Sequence, residues 1–259
     1  MTKSSKSRNA AVDGSPSDRI EEHLKFYEDN YSEIFYGGPN GIGSRLYQRC
    51  IRNSLPETIT GVALELGSRD FELSRFVSSR LAEAGMILGI DLRMPSPAAR
   101  KWIARDATTI EAVVGNVESI PLADSTVDLI FHGCLLHHLD HPAKAISEVR
   151  RVLKIGGTAI YYLPCQPGLL LRIWQRVFSM RSIRRTARIQ GFCECDPYLL
   201  DAVLHKGHYL ALKRLIRALH LHDEIAVRAY PVPMFSWNLK LFEIISVRKL
   251  SHGESISGR

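Results

Sequence analysis

The segment Val62–Gly67, VALELG, and the run MILGID that ends at Asp91 decide the fold of this chain. An apolar run that passes into Glu-Leu-Gly predicts a buried strand, a tight turn and then a helix. The second run predicts a neighbouring strand that ends on a carboxylate. In an open α/β sheet, ligands bind at the carboxyl ends of the strands. A glycine turn beside an acid at that edge therefore predicts a nucleoside site.

Outward from these two strands, short apolar runs alternate with helical patterns as far as Pro164. This alternation predicts a parallel sheet covered on both faces. Beyond Pro164 we expect a helical segment and then two strand-like runs that close the sheet as an antiparallel pair. The predicted fold is a Rossmann-like α/β fold with a seven-stranded, mostly parallel sheet, a closing hairpin and a helical cap or insertion. Strands are predicted at 62–66, 86–90, 112–115, 127–131, 158–163, 224–232 and 239–247, and helices at 44–53, 72–84, 97–105, 142–153 and 209–219.

This order of elements divides the chain into a core and flanking segments. The predicted segments are a disordered tail at 1–18, an N-terminal helical cap at 19–56, a cofactor-binding core at 57–165, a basic helical insertion that serves as substrate cap at 166–222, a closing strand pair at 223–250, and a disordered tail at 251–259.

Composition excludes several classes of protein. The five scattered cysteines indicate reduced thiols rather than a disulfide framework, and no apolar run reaches the length of a membrane span. The N-terminus lacks the apolar region of a signal peptide, so we expect a cytoplasmic protein. The net charge is +7, and residues 166–222 carry ten Lys/Arg against three Asp/Glu, which accounts for the whole excess.

The stretch from about Thr60 to Pro164 resembles the class I S-adenosylmethionine-dependent methyltransferases, in particular their small-molecule, type 11-like branch. The resemblance rests on ALELGS, GID, GNVESIPLADSTVDLIFHGCLLHHL and HPAKAISEVRRVLKIGGTAIYYLP, which follow one another in the family's order. It implies an enzyme that uses S-adenosyl-L-methionine to methylate a small-molecule or lipid-linked acceptor. Oxygen is preferred over carbon or nitrogen as the acceptor atom.

The resemblance also implies a cofactor site along the carboxyl ends of the strands. Asp91 would accept hydrogen bonds from the ribose hydroxyls, and Leu92 would pack near the adenine. Arg69 and Phe71 stand where the family usually has glycine, so we expect them to crowd the cofactor or to restrict a turn that favours positive φ. The cofactor-binding residues implied are Glu65, Gly67, Ser68, Asp91, Leu92, Asn116, Val117 and His132.

On the acceptor side, the resemblance implies a general base at His138, with His137 beside it in the site. The alternative is that His138 caps the following helix. Tyr31 belongs to an N-terminal segment that folds over the cofactor in many relatives, and it is the implied substrate contact there. The alternative for this segment is an amphipathic helix packed on the sheet.

In the basic insertion, Leu170, Ile173, Trp174, Val177 and Phe178 follow helical spacing and predict an amphipathic helix. The insertion either is a lid whose arginines are solvated or meets an anionic acceptor, with Arg185 as the substrate contact. An anionic membrane surface is a further possible partner, and nucleic acid ranks last because no RNA-binding module is present.

Two further interpretations compete with the enzyme. The departures at Arg69 and Phe71 favour a non-catalytic binding protein that kept the fold, and the basic insertion favours an RNA methyltransferase. Cys193 and Cys195, with His205 and His208, are spaced too tightly for a usual zinc site, so no metal is predicted.

Overall fold

One mixed sheet forms the centre of the described part of the chain. The computed structural model describes residues 21, 25–26, 42–105, 109–179, 184–186, 188, 206–231 and 236–251. Its strands are β1 (Val62–Leu66), β2 (Met86–Asp91), β3 (Thr109–Val114), β4 (Val127–His132), β5 (Leu153–Pro164), β6 (Glu224–Tyr230) and β7 (Phe242–Arg248). They pair in the order β3-β2-β1-β4-β5-β7-β6, and within this sheet β7 runs in the direction opposite to that of the other six strands. The predicted fold class is confirmed.

Helices cover both faces of the sheet. The helices are α1 (Ile42–Arg52), α2 (Glu72–Val77), α3 (Pro97–Ile103), α4 (Pro142–Val152), α5 (Leu169–Trp174) and α6 (Tyr209–Leu219). Helices α1 and α2 pack on the face that carries Ala63 and Phe131, whereas α4 and α6 pack on the face that carries Leu64 and Ile130. Because the central strands are buried on both faces, they show continuous apolar runs rather than alternation.

Several predicted elements have other bounds in the structure, and two of them differ most. The helix predicted over 72–84 ends at Val77 and continues only as a 3₁₀ turn to Arg80. Leu81 leaves the helix because it forms a parallel bridge with Ile59, whose carbonyl accepts a hydrogen bond from the amide of Ala82 at 3.0 Å. Strand β5 begins at Leu153, directly after α4, five residues before its predicted start.

A buried polar chain anchors the end of α6 on the sheet. The Tyr161 hydroxyl lies 2.8 Å from Nε2 of His220, and Nδ1 of His220 lies 2.7 Å from the carboxylate of Asp223. The same carboxylate accepts hydrogen bonds from the Arg150 guanidinium and the Leu250 amide. These bonds join β5, α4 and the end of β7 to the last turn of α6, so this helix is fixed to the core.

The segment that enters α6 also joins the carboxyl ends of two strands. The amides of Lys206 and Gly207 donate to the carbonyl of His137, after β4, at 2.8 and 3.0 Å. The amide of Tyr209 donates to the carbonyl of Gln166, after β5, at 3.2 Å. The hydrogen bond between Gln166 and Tyr209 therefore brings together the two ends of the segment 166–209. Both ends lie where the parallel strands have their carboxyl ends, which is the edge of the sheet at which ligands bind.

Helix α5 and the π-helical turn that continues it, Gln175–Ser179, only partly match the predicted apolar face. Leu170 and Trp174 pack against the core, but the side chains of Ile173 and Val177 are 50% and 39% exposed. The helix predicted at Asp196–Pro197 lies outside the described residues. Within the described residues, no helix has the length and apolar character needed to cross a membrane.

Candidate functional site

The turn after β1 follows a path that glycine normally takes. Gly67, Arg69 and Phe71 all have left-handed φ values, of 66°, 42° and 60°. For residues with a Cβ this conformation costs roughly 1–2 kcal/mol each. The amides of Gly67 and Ser68 both donate to the Ile90 carbonyl, at 2.8 and 3.2 Å. The turn therefore keeps a glycine-type backbone although two of its residues carry side chains.

Phe71 does not crowd the outer side of this turn. Its side chain is fully buried in the core cluster between the sheet and α1 and α2. A Cβ built on Gly89 would lie 2.2 Å from Cε1 of the Phe71 ring, so the missing side chain of Gly89 makes room for the ring. The side chain of Arg69 is exposed. The expected crowding by Phe71 is wrong, since its ring points away from the ligand edge.

Asp91 is bound to this turn, and its hydrogen-bond partners among the described residues are two backbone amides. Its Oδ2 accepts a hydrogen bond from the Arg69 amide at 3.0 Å, and its Oδ1 accepts one from the Arg93 amide at 3.1 Å. A carboxylate has about four lone-pair sites. Each oxygen of this half-buried group can therefore still accept a hydroxyl, which is the requirement for binding a ribose diol.

Exposed apolar side chains surround Asp91. Leu92 is 71% exposed and Met94 is 58% exposed, and Val114, the partner of Asp91 in the β2–β3 register, is 53% exposed. Large apolar side chains at this level of exposure offer a surface on which an aromatic base can pack. The sequence indicated Leu92 only; Met94 and Val114 become apparent when the strand ends meet. This edge of the sheet fits a nucleoside.

Asn116 and Val117 follow β3 beside this surface. Asn116 is exposed, and its Oδ1 accepts a hydrogen bond from the amide of Glu118 at 2.9 Å, which shapes a local turn. Val117 is 6% exposed and packs in the core. Its side chain therefore serves the fold, and Asn116 is the residue of this pair that presents polar atoms to solvent.

The buried side chain of Glu65 binds the first turn of α2, which follows the Gly67 turn. It is 4% exposed, and its Oε2 accepts hydrogen bonds from the amide of Ser74, at 3.0 Å, and from the Ser74 hydroxyl. Phe71, the N-cap of α2, provides no capping side chain, so Glu65 satisfies an amide in the first turn of the helix. Burial raises the pKa of the Glu65 carboxyl to about 8. Glu65 therefore fixes the start of α2 against β1, and Ser68, also buried, lies between them.

At the end of β4, His132 is buried beside Tyr161 of β5. It is 1% exposed, its ring packs edge to face on Tyr161 at 5.5 Å, and its Nδ1–H donates to the Gly133 carbonyl at 2.6 Å. Burial lowers the pKa of the His132 imidazole to about 4, so the ring is neutral at pH 7. The implied contact of His132 with a cofactor stays a prediction.

His137 and His138 lie on a 3₁₀ turn, Leu136–His138, with ring centroids 4.0 Å apart. His137 is 2% exposed and His138 is half-buried. The N-cap of α4 is His141, whose side chain makes no capping hydrogen bond, so His138 is not the N-cap residue, and its role in the loop stays a prediction. The rings of this pair lie at the carboxyl end of β4, beside the segment that leads into α6.

The implied substrate contacts and the metal prediction fall partly outside the described residues. Tyr31, Cys193, Cys195 and His205 are not described, and Arg185 is exposed in a short helical piece of the insertion. In the described ranges, no three His, Cys, Asp or Glu side chains are grouped so as to bind a metal ion.

Comparison with known proteins agrees with this geometry. Residues 64–161 match the family model described as a methyltransferase domain. Over 121 residues the chain is 35% identical to malonyl-(acyl-carrier protein) O-methyltransferase of Methylococcus capsulatus, covering 41% of this chain and 43% of that protein. It is 28% identical over 127 residues to demethylmenaquinone methyltransferase of Lactiplantibacillus plantarum, covering 44% and 49%. The chain thus spans about half the length of the curated relatives it matches.

Among solved structures, the fold is similar to that of 1,6-didemethyltoxoflavin-N1-methyltransferase of Burkholderia thailandensis, with a TM-score of 0.56 and 14% identity over 94% of each chain. The motifs of the strand ends, the family match and the sheet order agree with one another. The core of this chain therefore has the fold of a solved methyltransferase and, over residues 64–161, is similar in sequence to the methyltransferase-domain family.

Proposed function

We propose that this protein transfers the methyl group of S-adenosylmethionine to an oxygen of a small-molecule or lipid-linked anionic acceptor. The observation that carries the proposal is the nucleoside-type edge at β1 and β2. There the half-buried carboxylate of Asp91 retains acceptor sites beside the Gly67 turn, with Leu92 and Val114 exposed next to it. Within that edge, Asp91 would hold the ribose and the apolar pair would hold the adenine.

When bound, S-adenosylmethionine supplies a methyl group that is already activated toward a nucleophile. The contribution of the chain is alignment and, for a hydroxyl acceptor, a base. His138 lies on the β4 side of the switch point between β1 and β4, the side away from Asp91. We propose that His138 removes the proton of the acceptor hydroxyl, because an imidazole accepts protons near neutral pH.

Titration with S-adenosylhomocysteine tests the cofactor site. Asp91→Ala removes the acceptors for two hydroxyls, and we expect it to weaken binding at least about ten-fold, since hydrogen bonds to charged groups contribute about 1.5–3 kcal/mol. Glu83→Ala is the matched control, because Glu83 is an exposed acid before β2, at the opposite edge of the sheet. Equal affinity of the two variants, or no binding by the wild type, would refute the proposed site.

A lipid-linked acceptor is supported by the outer side of α5 and of the π-helical turn Gln175–Ser179 that continues it. Leu169, Ile173 and Val177 recur every four residues and are 57%, 50% and 39% exposed, and Arg172 and Arg176 between them are exposed too. An apolar stripe beside arginines fits an anionic membrane surface. We expect sedimentation with phosphatidylglycerol vesicles but not with phosphatidylcholine vesicles. Ile173→Glu should abolish it, and Leu221→Glu, at a residue that is 71% exposed and far from α5 in sequence, should leave it unchanged.

A further inference from the structure

A carboxylate with two lysines lies on the acceptor side of the sheet. Glu243, on β7, is 1% exposed and pairs with Leu163, the residue before the end of β5. Its Oε2 accepts a hydrogen bond from Nζ of Lys213, on α6, at 2.5 Å. Its Oε1 accepts one from Nζ of Lys240, just before β7, at 2.8 Å. The three side chains form a nearly buried group with one excess positive charge.

The two ammonium groups retain hydrogen-bond donors. Each lysine has three N–H donors. Among the described residues, Lys213 uses one on Glu243 and one on the Tyr209 hydroxyl at 3.0 Å, and Lys240 uses one on Glu243. Three donors are left on side chains that are 20% and 12% exposed. A largely desolvated net charge with unused donors is stabilised when an anion binds beside it and accepts hydrogen bonds from those donors.

The surroundings of this group suit an organic anion. The indole of Trp237 is half-buried, stacks on the Tyr209 ring at 5.9 Å, and meets the exposed His208 ring at 5.5 Å. His208 and Tyr209 belong to the segment that is hydrogen-bonded to His137 and Gln166, after β4 and β5, and Trp237 lies on a 3₁₀ turn just before β7. The lysines therefore lie near the carboxyl end of β5, on the same side of the switch point as the His137–His138 turn and on the opposite side from Asp91.

We infer that Lys213 and Lys240 form an oxyanion-binding subsite that holds a carboxylate or phosphate group of the methyl acceptor. Glu243 holds the two ammonium groups together and lowers their mutual repulsion. Trp237 and Tyr209 provide apolar surface for the part of the acceptor next to the anion. The naming of the ligand as the acceptor rests on the proposed function, whereas the oxyanion site itself stands on the lysine geometry.

Calorimetric titration of the full chain with phenyl phosphate and with benzoate, at constant ionic strength, tests this subsite and separates a phosphate from a carboxylate ligand. We expect one of these anions to bind the wild type. Lys240→Met should weaken that binding about ten-fold or more, because a charge-assisted hydrogen bond is lost. Lys240→Arg should retain the binding. Lys144→Met, at an exposed residue of α4, is the matched control and should bind like the wild type.

Lack of binding of both anions by the wild type, or equal affinity of the Lys240→Met and Lys144→Met variants, would overturn the inference. If Lys240→Met does not fold, as judged by circular dichroism, Lys213→Met carries the same comparison. A parallel titration with S-adenosylhomocysteine separates the two proposals. Anion binding that depends on Lys240, in a protein that does not bind S-adenosylhomocysteine, would leave the oxyanion site intact and remove the proposed methyl transfer.

Discussion

Gly89→Ala should destabilise the protein through a single buried contact. The added methyl would lie 2.2 and 2.3 Å from Cε1 and Cζ of the Phe71 ring and 2.7 Å from Cβ of Ser68. Carbon atoms pack at about 3.5–4.0 Å, so the ring must move by more than about 1 Å in a region that is fully buried. Overpacking of this kind costs about 1–3 kcal/mol. For a domain of this size that cost lowers the Tm by about 2–12 °C.

Thermal and urea unfolding followed by circular dichroism measure this cost. Phe71→Leu removes the ring atoms that the new methyl would contact, so the double variant should show a coupling of at least about 1 kcal/mol. Gly156→Ala is the control: its φ is 80° but nothing lies within 4 Å of the added methyl, so its cost of about 1 kcal/mol should not change with Phe71→Leu. A Gly89→Ala protein as stable as the wild type, or a cost that is the same with Leu at position 71, would refute the packing described for the turn.

Three further expectations follow from the same region. Arg69→Gly should raise stability by roughly 0.5–1 kcal/mol, because the relief of a left-handed φ exceeds the entropy that glycine adds to the unfolded chain; a loss of stability in urea unfolding would contradict this. Glu65 has a raised pKa of about 8, so its contribution to the free energy of unfolding is fully present below about pH 4.5 and is lost as the pH rises to 8. Glu65→Gln should flatten the fall in stability between about pH 6.5 and 8, and an unchanged slope would contradict the assignment. His132 has a lowered pKa of about 4, so its contribution is lost as the pH falls from 6.5 to 4, and His132→Phe should reduce that loss. Urea unfolding of the wild type and of His132→Phe between pH 6.5 and 4, followed by tryptophan fluorescence, measures this loss, and an equal loss in the two proteins would contradict the prediction.

The sequence predicted those parts of the fold that local pattern determines. The strand at Val62–Leu66 and the helix at Tyr209–Leu219 have the predicted bounds, because apolar periodicity and flanking turn residues act within one element. The early end of α2 was not predictable in this way, since Leu81 leaves the helix to pair with Ile59, a contact between distant segments.

The site shows the same division. Asp91 and the Gly67 turn were predicted because each follows a strand in a recognisable motif. The burial of Phe71 depends on Gly89, on another strand, and a phenylalanine in a glycine position gives no local sign of which way its ring points. The Lys213–Glu243–Lys240 group joins residues up to 30 positions apart, and the one available signal was a lone acid in the apolar run of the last strand.

The hydrogen bond between Tyr209 and Gln166 has a consequence for how this domain can change over time. It joins the two ends of the segment 166–209 on the core itself. The entropic cost of closing a loop grows only with the logarithm of its length. Insertions, deletions or replacements in the chain between those ends therefore change the free energy of folding little through loop entropy, while the edge at β1 and β2 stays the same. Acceptor preference and the shared cofactor edge are then free to evolve at different rates.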